Sequence, residues 1–217
     1  MALVNELEKQ GNFLFRYRGQ IPVILFALAV PFIYLTDLSV YSDSQINGMT
    51  ILAIVISFLG FLVRAYTIAT TPGGTSGRNT KKQIANFLNS TGIYSLVRHP
   101  LYLGNYLMWI GIVLFTFNIY FVIIVSLLYW LYYERIMFAE ERFLERKFGD
   151  SYMDWANRTP GFIPGFSNYV SNVVPFFAGP SLASLAIVSV LLFEKEEYVE
   201  PAVLLFPYYS SRRKNMS

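Results

Sequence analysis

The chain's single histidine, His99, stands in a short stretch with Tyr94, Arg98, Pro100 and Tyr102, and no charged residue follows from 101 to 133. Beyond that apolar run come two adjacent carboxylates, Glu140 and Glu141, among the basic residues Arg135, Arg142 and Arg146. An imidazole, phenols and a guanidinium supply hydrogen bonds and flat faces, and a carboxylate accepts from hydroxyls or from an ammonium group. A lone histidine at a membrane interface is ordinarily a hydrogen-bonded structural residue. The convergence of Tyr94, Arg98, His99, Tyr102, Glu140 and Glu141 on one mouth is what favours a binding site.

The stretch 134–149 reads as a helix. Ile136, Met137, Phe143, Leu144 and Phe148 recur at helical spacing, and Gly149 is its stop signal. At about 100° per residue, Glu140 falls near the centre of the apolar stripe and Glu141 at its edge. A carboxylate on an apolar face requires a partner. A ligand cation, a pair of hydroxyls or Arg98 meets that need, and so does a plain salt bridge at the membrane surface. Arg135 falls on the opposite face with Arg142 and Arg146, where solvation or contact with lipid phosphates accounts for all three.

The elements that bring these clusters together follow from hydropathy. As one helix, 101–133 would reach about 50 Å, against a hydrocarbon core of about 30 Å. Asn118 near its middle predicts a tight antiparallel hairpin instead, with 103–117 going out and 119–133 coming back. A hairpin sets its two ends side by side, and those ends carry the two polar clusters. Three further apolar runs are 20–35, broken by Pro22 and Pro31; 48–70, with Arg64 as its one charge; and 173–193, with Pro175, Gly179 and Pro180. The last either spans the membrane or lies along it. The first is not expected to be a cleavable signal, because Glu6, Glu8, Lys9, Arg16 and Arg18 precede it and no small-residue cleavage site follows. The expected fold is all-α: a polytopic integral membrane protein with about four to five transmembrane helices, including the tight hairpin. One membrane domain occupies 1–170, and 171–217 forms an apolar segment and polar tail of unassigned role.

Only 14% of residues are charged, against about 25% in soluble domains. The absence of cysteine excludes disulfides, thiolate metal sites and a cysteine nucleophile. A single histidine excludes a histidine-rich metal centre, so no metal is expected. The net charge of +3 suits anionic head groups better than nucleic acid. Lys and Arg concentrate in 1–19, 71–100 and 134–164 and are missing from 36–47. The positive-inside rule therefore puts both ends of the hairpin in the cytoplasm. The glycine-rich loop 71–80 lacks the spacing of a phosphate-binding loop and reads as a connector.

Taken together, the block Gly92, Tyr94, His99, Pro100 and Tyr102, the apolar hairpin, the helix with Glu140 and Glu141, and the later Thr159-Pro160-Gly161-Phe162-Ile163-Pro164 resemble the isoprenylcysteine carboxyl methyltransferase and phospholipid methyltransferase superfamily. The likeness covers about 86–164, and its wording looks most like the bacterial members. The resemblance implies S-adenosyl-L-methionine as methyl donor, in a cytosol-facing pocket of a bacterial inner-membrane protein. Carried over by position, Tyr94, Arg98, His99, Pro100, Leu101 and Tyr102 line the cofactor site, and Glu140 and Glu141 hold its polar groups. An ionised acceptor needs no general base, so positioning and desolvation carry the rate. It does need a cation. In the prenylcysteine branch an arginine just before the acidic pair serves, which makes Arg135 the first candidate here and Arg64 the rival. The favoured acceptor is a membrane-embedded lipid anion such as the 1-phosphate of lipid A. A prenylcysteine carboxylate and a phospholipid amine are the alternatives, and a non-catalytic membrane protein or transporter subunit is the alternative of another class.

Overall fold

The computed structural model describes residues 2–20, 35–71 and 83–171 and, between 20 and 35, only 24, 27, 28, 31 and 32. The expected span 173–193, most of the glycine-rich loop 71–80 and much of the run 20–35 lie outside the described residues. The described residues are helical and contain no strand. Six α-helices are used below: α1 (Ala2–Arg16), α2 (Asp43–Thr70), α3 (Ile93–Leu96), α4 (Pro100–Leu114), α5 (Ile119–Phe148) and α6 (Asp150–Arg158).

Of these, α2 and α5 are long and apolar enough to cross a membrane, and α4 is a shorter apolar helix. The lipid-facing character of α2 shows in its exposed Ile51, Leu52, Ile54, Val55, Phe58, Leu59 and Leu62. A capping box at Ser42 and Gln45 starts this helix by satisfying two of its free amides.

The hairpin forms as expected, with α4 and α5 joined at 115–118. Asn118 caps α5, its side chain accepting from the Phe121 amide at 3.0 Å. Phe117 takes φ +53° in the turn, and its carbonyl accepts from Tyr41 on the preceding link at 3.1 Å. The returning arm and the 134–148 helix are one unbroken helix of 30 residues. The segment from Glu134 onward therefore carries the helix out of the membrane without a new start.

Close backbone approach locks α2 against α4. A Cβ at Gly60 would lie 2.6 Å from the Gly104 carbonyl oxygen, and one at Gly104 would lie 2.7 Å from the Arg64 Cγ. Gly111 meets Ser57 and Ala53 of α2 in the same way. In lipid, helix association rests on such small-residue packing, because burying apolar surface gains nothing against lipid tails. On the other side, α1 runs along the emerging part of α5. Gly11 abuts the backbone of Arg135 and the side chain of Ala139. Arg146 forks onto Glu8 at 2.9 and 2.5 Å, and the Tyr132 hydroxyl donates to the Leu14 carbonyl at 2.8 Å.

Candidate active site

His99 is the N-cap of α4, yet its side chain makes no capping bond. Pro100 takes the first helical position, where its missing N–H costs nothing. The imidazole is thereby released toward α5. Its Nε2 lies 2.8 Å from Glu141 Oε1 and its Nδ1 lies 3.7 Å from Glu140 Oε2. Arg98 Nη1 lies 3.3 Å from the other oxygen of Glu141. His99 and Glu140 are buried, at 6% and 5% exposed, whereas Glu141 and Arg98 reach the rim.

The segment 159–170 holds this arrangement from above. The Arg98 amide donates to the Pro160 carbonyl at 2.9 Å and the His99 amide to Gly161 at 3.2 Å. Leu96 accepts from Gly165, and the Gly92 and Val170 backbones are joined at 2.7 Å. Trp155 of α6 anchors the other end, its indole N–H donating to the Tyr94 carbonyl at 2.9 Å. Gly149, at φ +54°, makes the turn from α5 into α6.

Seven of the eight cofactor candidates, Tyr94, Arg98, His99, Pro100, Leu101, Tyr102 and Glu140, line one cleft. Glu141 stands at its edge through His99 and Arg98. The cleft is narrow and partly open to solvent. Sequence reasoning missed five further lining residues: Phe87, Leu88, Asn89, Leu144 and Trp155. Leu144 was legible from the helical stripe. The segment before α3 has no periodicity to announce it. Arg98 pairs with Glu141, and the partner of Glu140 is His99.

The two arginine candidates separate. Arg135 points to the α1 side, donating to Gln10 at 3.2 Å and to the Leu131 carbonyl at 2.9 Å. The helix carries no break that would turn it toward Glu140. Arg142 pairs with Glu145 at 2.6 Å. Arg64 is 4% exposed and bonds the Asn105 side chain on α4. Asn105 follows Tyr102 and Leu101 at spacings of three and four, so this guanidinium sits one helical turn, about 5 Å, deeper than the cleft. Nearby is a row of tyrosines, with Tyr102 tilted against Tyr133 at 5.0 Å and Tyr133 stacked on Tyr129 at 4.1 Å between centroids. The Tyr129 hydroxyl donates to the Tyr102 carbonyl at 2.6 Å.

The site's charges support one another. Burial pushes the His99 imidazole down, but Glu140 and Glu141 outweigh it and hold its pKa above the ordinary value. Burial pushes Glu140 up, and His99 and then Arg18 bring it below the usual carboxylate range. Glu141 follows the same pattern, lowered by His99 and Arg98. These three groups lie beyond the uncharged arms of the hairpin, 103–117 and 119–133.

A raised histidine stabilises the fold fully below its ordinary pKa of 6.5 and loses that contribution as pH rises through the elevated value. The two lowered glutamates contribute above 4.5 and lose it as pH falls through their depressed values. The detergent-solubilised protein is expected to lose melting temperature between pH 6 and pH 9 by several degrees more than His99→Gln does, at about 2–4 °C per kcal/mol. Parallel curves for the two proteins would show that His99 is not an imidazolium between two carboxylates.

Residues 45–151 match the phospholipid methyltransferase family. A protein-S-isoprenylcysteine O-methyltransferase of Saccharomyces cerevisiae is 32% identical over 145 residues, 65% of this chain and 59% of that protein. The chain belongs to the isoprenylcysteine carboxyl methyltransferase and phospholipid methyltransferase superfamily. Another relative in this superfamily, the protein-S-isoprenylcysteine O-methyltransferase of Schizosaccharomyces pombe, is 29% identical over 50% of the chain and 48% of its own length. A nickel-cobalt-cadmium resistance protein of Alcaligenes xylosoxydans xylosoxydans is 30% identical over 71% of the chain and 66% of its own length. The chain thus spans about half to two thirds of the length of these relatives. No solved structure matches it. Among the described residues, no group of three or more His, Asp or Glu side chains is placed to hold a metal ion.

Proposed function

We propose that the chain is an S-adenosyl-L-methionine-dependent methyltransferase acting on a membrane-embedded anion. One observation carries this reading. The pieces that carry the superfamily resemblance line a single cleft where Glu140, at the centre of an apolar stripe, is buried against His99.

The donor set suits this cofactor. Glu140 and Glu141 are acceptors for ribose hydroxyls or an α-ammonium. Arg98 Nε is buried at the cleft without a hydrogen-bond partner and is a donor suited to a carboxylate. Tyr94, Tyr102 and Trp155 offer aromatic faces for adenine or for a sulfonium cation. When bound, the cofactor supplies an electrophilic methyl group. The chain's residues position the two partners and exclude water. The acceptor approaches from the membrane side, and an ionised acceptor requires no base. Arg64, one turn deeper than the cleft and inside the bundle, is the cation that holds it. Arg135, turned toward α1, supports that helix instead.

For the acceptor itself, a lipid phosphate such as lipid A 1-phosphate is favoured, with a prenylcysteine carboxylate or an amine head group next. Mass spectrometry of lipids from cells with and without the gene tests this. The expected result is a lipid lighter by one methylene in the deletion strain, with the loss localised to a phosphate. A loss localised to an amine would replace the anion reading, and an unchanged lipid and prenyl-protein profile would contradict the function.

The same reading sets the topology, with the cleft facing the cytoplasm of a bacterial inner membrane. Because the chain lacks cysteine, single cysteines report cleanly. Ser39→Cys, on the exposed link before α2, is expected to react with an impermeant maleimide on intact cells. Asn157→Cys, exposed on α6, is expected to react only after lysis. The reverse pattern would invert the protein.

A further inference from the structure

The segment 159–170 meets the cleft residues through its backbone. Pro160 and Gly161 accept from the Arg98 and His99 amides, and Gly165 donates to Leu96. Its side chains are unlike those of a water-facing loop. No charged residue occurs from 159 to 171, and the stretch carries Phe162, Ile163, Phe166, Tyr169 and Val170. Ile163 and Phe166 are 79% and 77% exposed, and Tyr169 and Val170 are exposed as well. Large apolar side chains left uncovered this closely, with no charge among them, favour a surface other than water.

Phe162 fixes where this patch lies. Its ring meets Trp130 edge-on at 5.7 Å and Tyr106 at 6.0 Å between centroids. Trp130 stands on α5 four residues before Glu134, the first charge after the uncharged run, and so about 6 Å along the helix from it. Trp130 is itself exposed, as are Leu127, Leu128 and Leu131 around it. On a helix long and apolar enough to cross a membrane, such exposed residues face lipid. A tryptophan near the end of a span belongs to the aromatic belt at the membrane–water boundary. Phe162 continues that belt, and Ile163 is the next residue of the chain.

We propose that 162–170 is seated in the interfacial layer of the bilayer, with Ile163 and Phe166 among the lipid head groups and upper acyl chains. Lipid is the occupant because the patch runs on from the lipid-facing Trp130. The element that clamps the Arg98 and His99 backbone is then docked on the membrane, and the cofactor cleft is fastened at the lipid surface. The inference rests on α2 and α5 crossing a membrane and holds whatever the methyl acceptor is.

Because the chain lacks cysteine, a nitroxide spin label can be placed at one position at a time. Ile163→Cys and Phe166→Cys are compared with Leu59→Cys, on the exposed face of α2, and with Asn157→Cys, exposed on α6. Each full-length variant is labelled and reconstituted into vesicles of phosphatidylcholine and phosphatidylglycerol. Power-saturation electron paramagnetic resonance then reads collisions with oxygen, which concentrates in lipid, and with a neutral nickel chelate, which stays in water. The oxygen-to-nickel ratio at 163 and 166 is expected to be several-fold higher than at 157 and to approach the ratio at 59. A ratio at 163 and 166 equal to that at 157 overturns the proposal. So does a low collision rate with both reagents, which would mean that protein, from this chain or a second copy, covers the patch. A water-like ratio at 59 would remove the membrane span of α2 and the proposal with it, an outcome distinct from failure at 163 and 166 alone.

Discussion

Glu140→Ala is expected to lower the affinity for S-adenosylhomocysteine about 10- to 150-fold, the worth of about 1.5–3 kcal/mol for a hydrogen bond to a charged group. Glu140 sits in the apolar stripe of α5, 5% exposed, and faces the cleft. Its removal takes away an acceptor for the ligand. It also leaves the buried His99 with Glu141 as its remaining carboxylate. Glu145→Ala is the control one turn further on, where the carboxylate pairs with Arg142 at the surface. That change is expected to stay within about twofold, as surface ion pairs contribute about 1 kcal/mol or less. His99→Ala is expected to fall with Glu140→Ala, since the ring both lines the cleft and holds the carboxylates in place. Titration calorimetry on the purified proteins separates these cases. Equal affinities in wild type, Glu140→Ala and His99→Ala would place the ligand elsewhere.

Arg64→Ala is expected to reduce turnover about 100-fold or more while leaving S-adenosylhomocysteine affinity within about threefold. The reason is location. Arg64 is buried at the α2–α4 contact, bonded to Asn105, and does not line the cofactor cleft. In the proposed function it is the cation that would meet the acceptor anion, one helical turn from Tyr102. Arg64→Lys is expected to recover little, because an ammonium lacks the planar fork that grips a carboxylate or phosphate through two parallel bonds. Retained cofactor binding shows that each variant has folded. Arg135→Ala is expected to keep turnover within about threefold, its guanidinium being spent on Gln10 and Leu131. The readout is methyl incorporation from labelled S-adenosyl-L-methionine into membrane lipids. Full activity in both Arg64 variants would remove the anion clamp and favour an amine acceptor.

Much of this was legible in the residues. The hairpin followed from the length of 101–133 and from Asn118, and the structure uses that asparagine as the cap of α5. Burial of Glu140 followed from its place on the apolar stripe. Other features left no signal. Periodicity cannot show whether an apolar arm and an amphipathic helix are one helix or two, so the continuity of α5 was hidden. With it was hidden the direction of Arg135, which depends on whether the helix bends on leaving the membrane. The clamp of 159–170 over 92–99 is made of backbone hydrogen bonds, which any side chain permits. The Thr159–Pro164 wording acquires its physical reason only in three dimensions, with Pro160 and Gly161 offering carbonyls to Arg98 and His99. Arg18 read as one more charge before a membrane segment. Only the packing of α1 on α5 buries it, with its guanidinium over the Phe15 ring.

The measurement closest to the central claim is methyl transfer by purified protein. Wild type and Glu140→Ala, each in vesicles of total host lipid, are incubated with methyl-labelled S-adenosyl-L-methionine, and the extracted lipid is counted. Label entering the lipid fraction in proportion to wild-type protein, and falling at least about tenfold with Glu140→Ala, is the predicted result. Lipid label that does not rise with protein, or that is equal in the two samples, would contradict a methyltransferase built on this cleft.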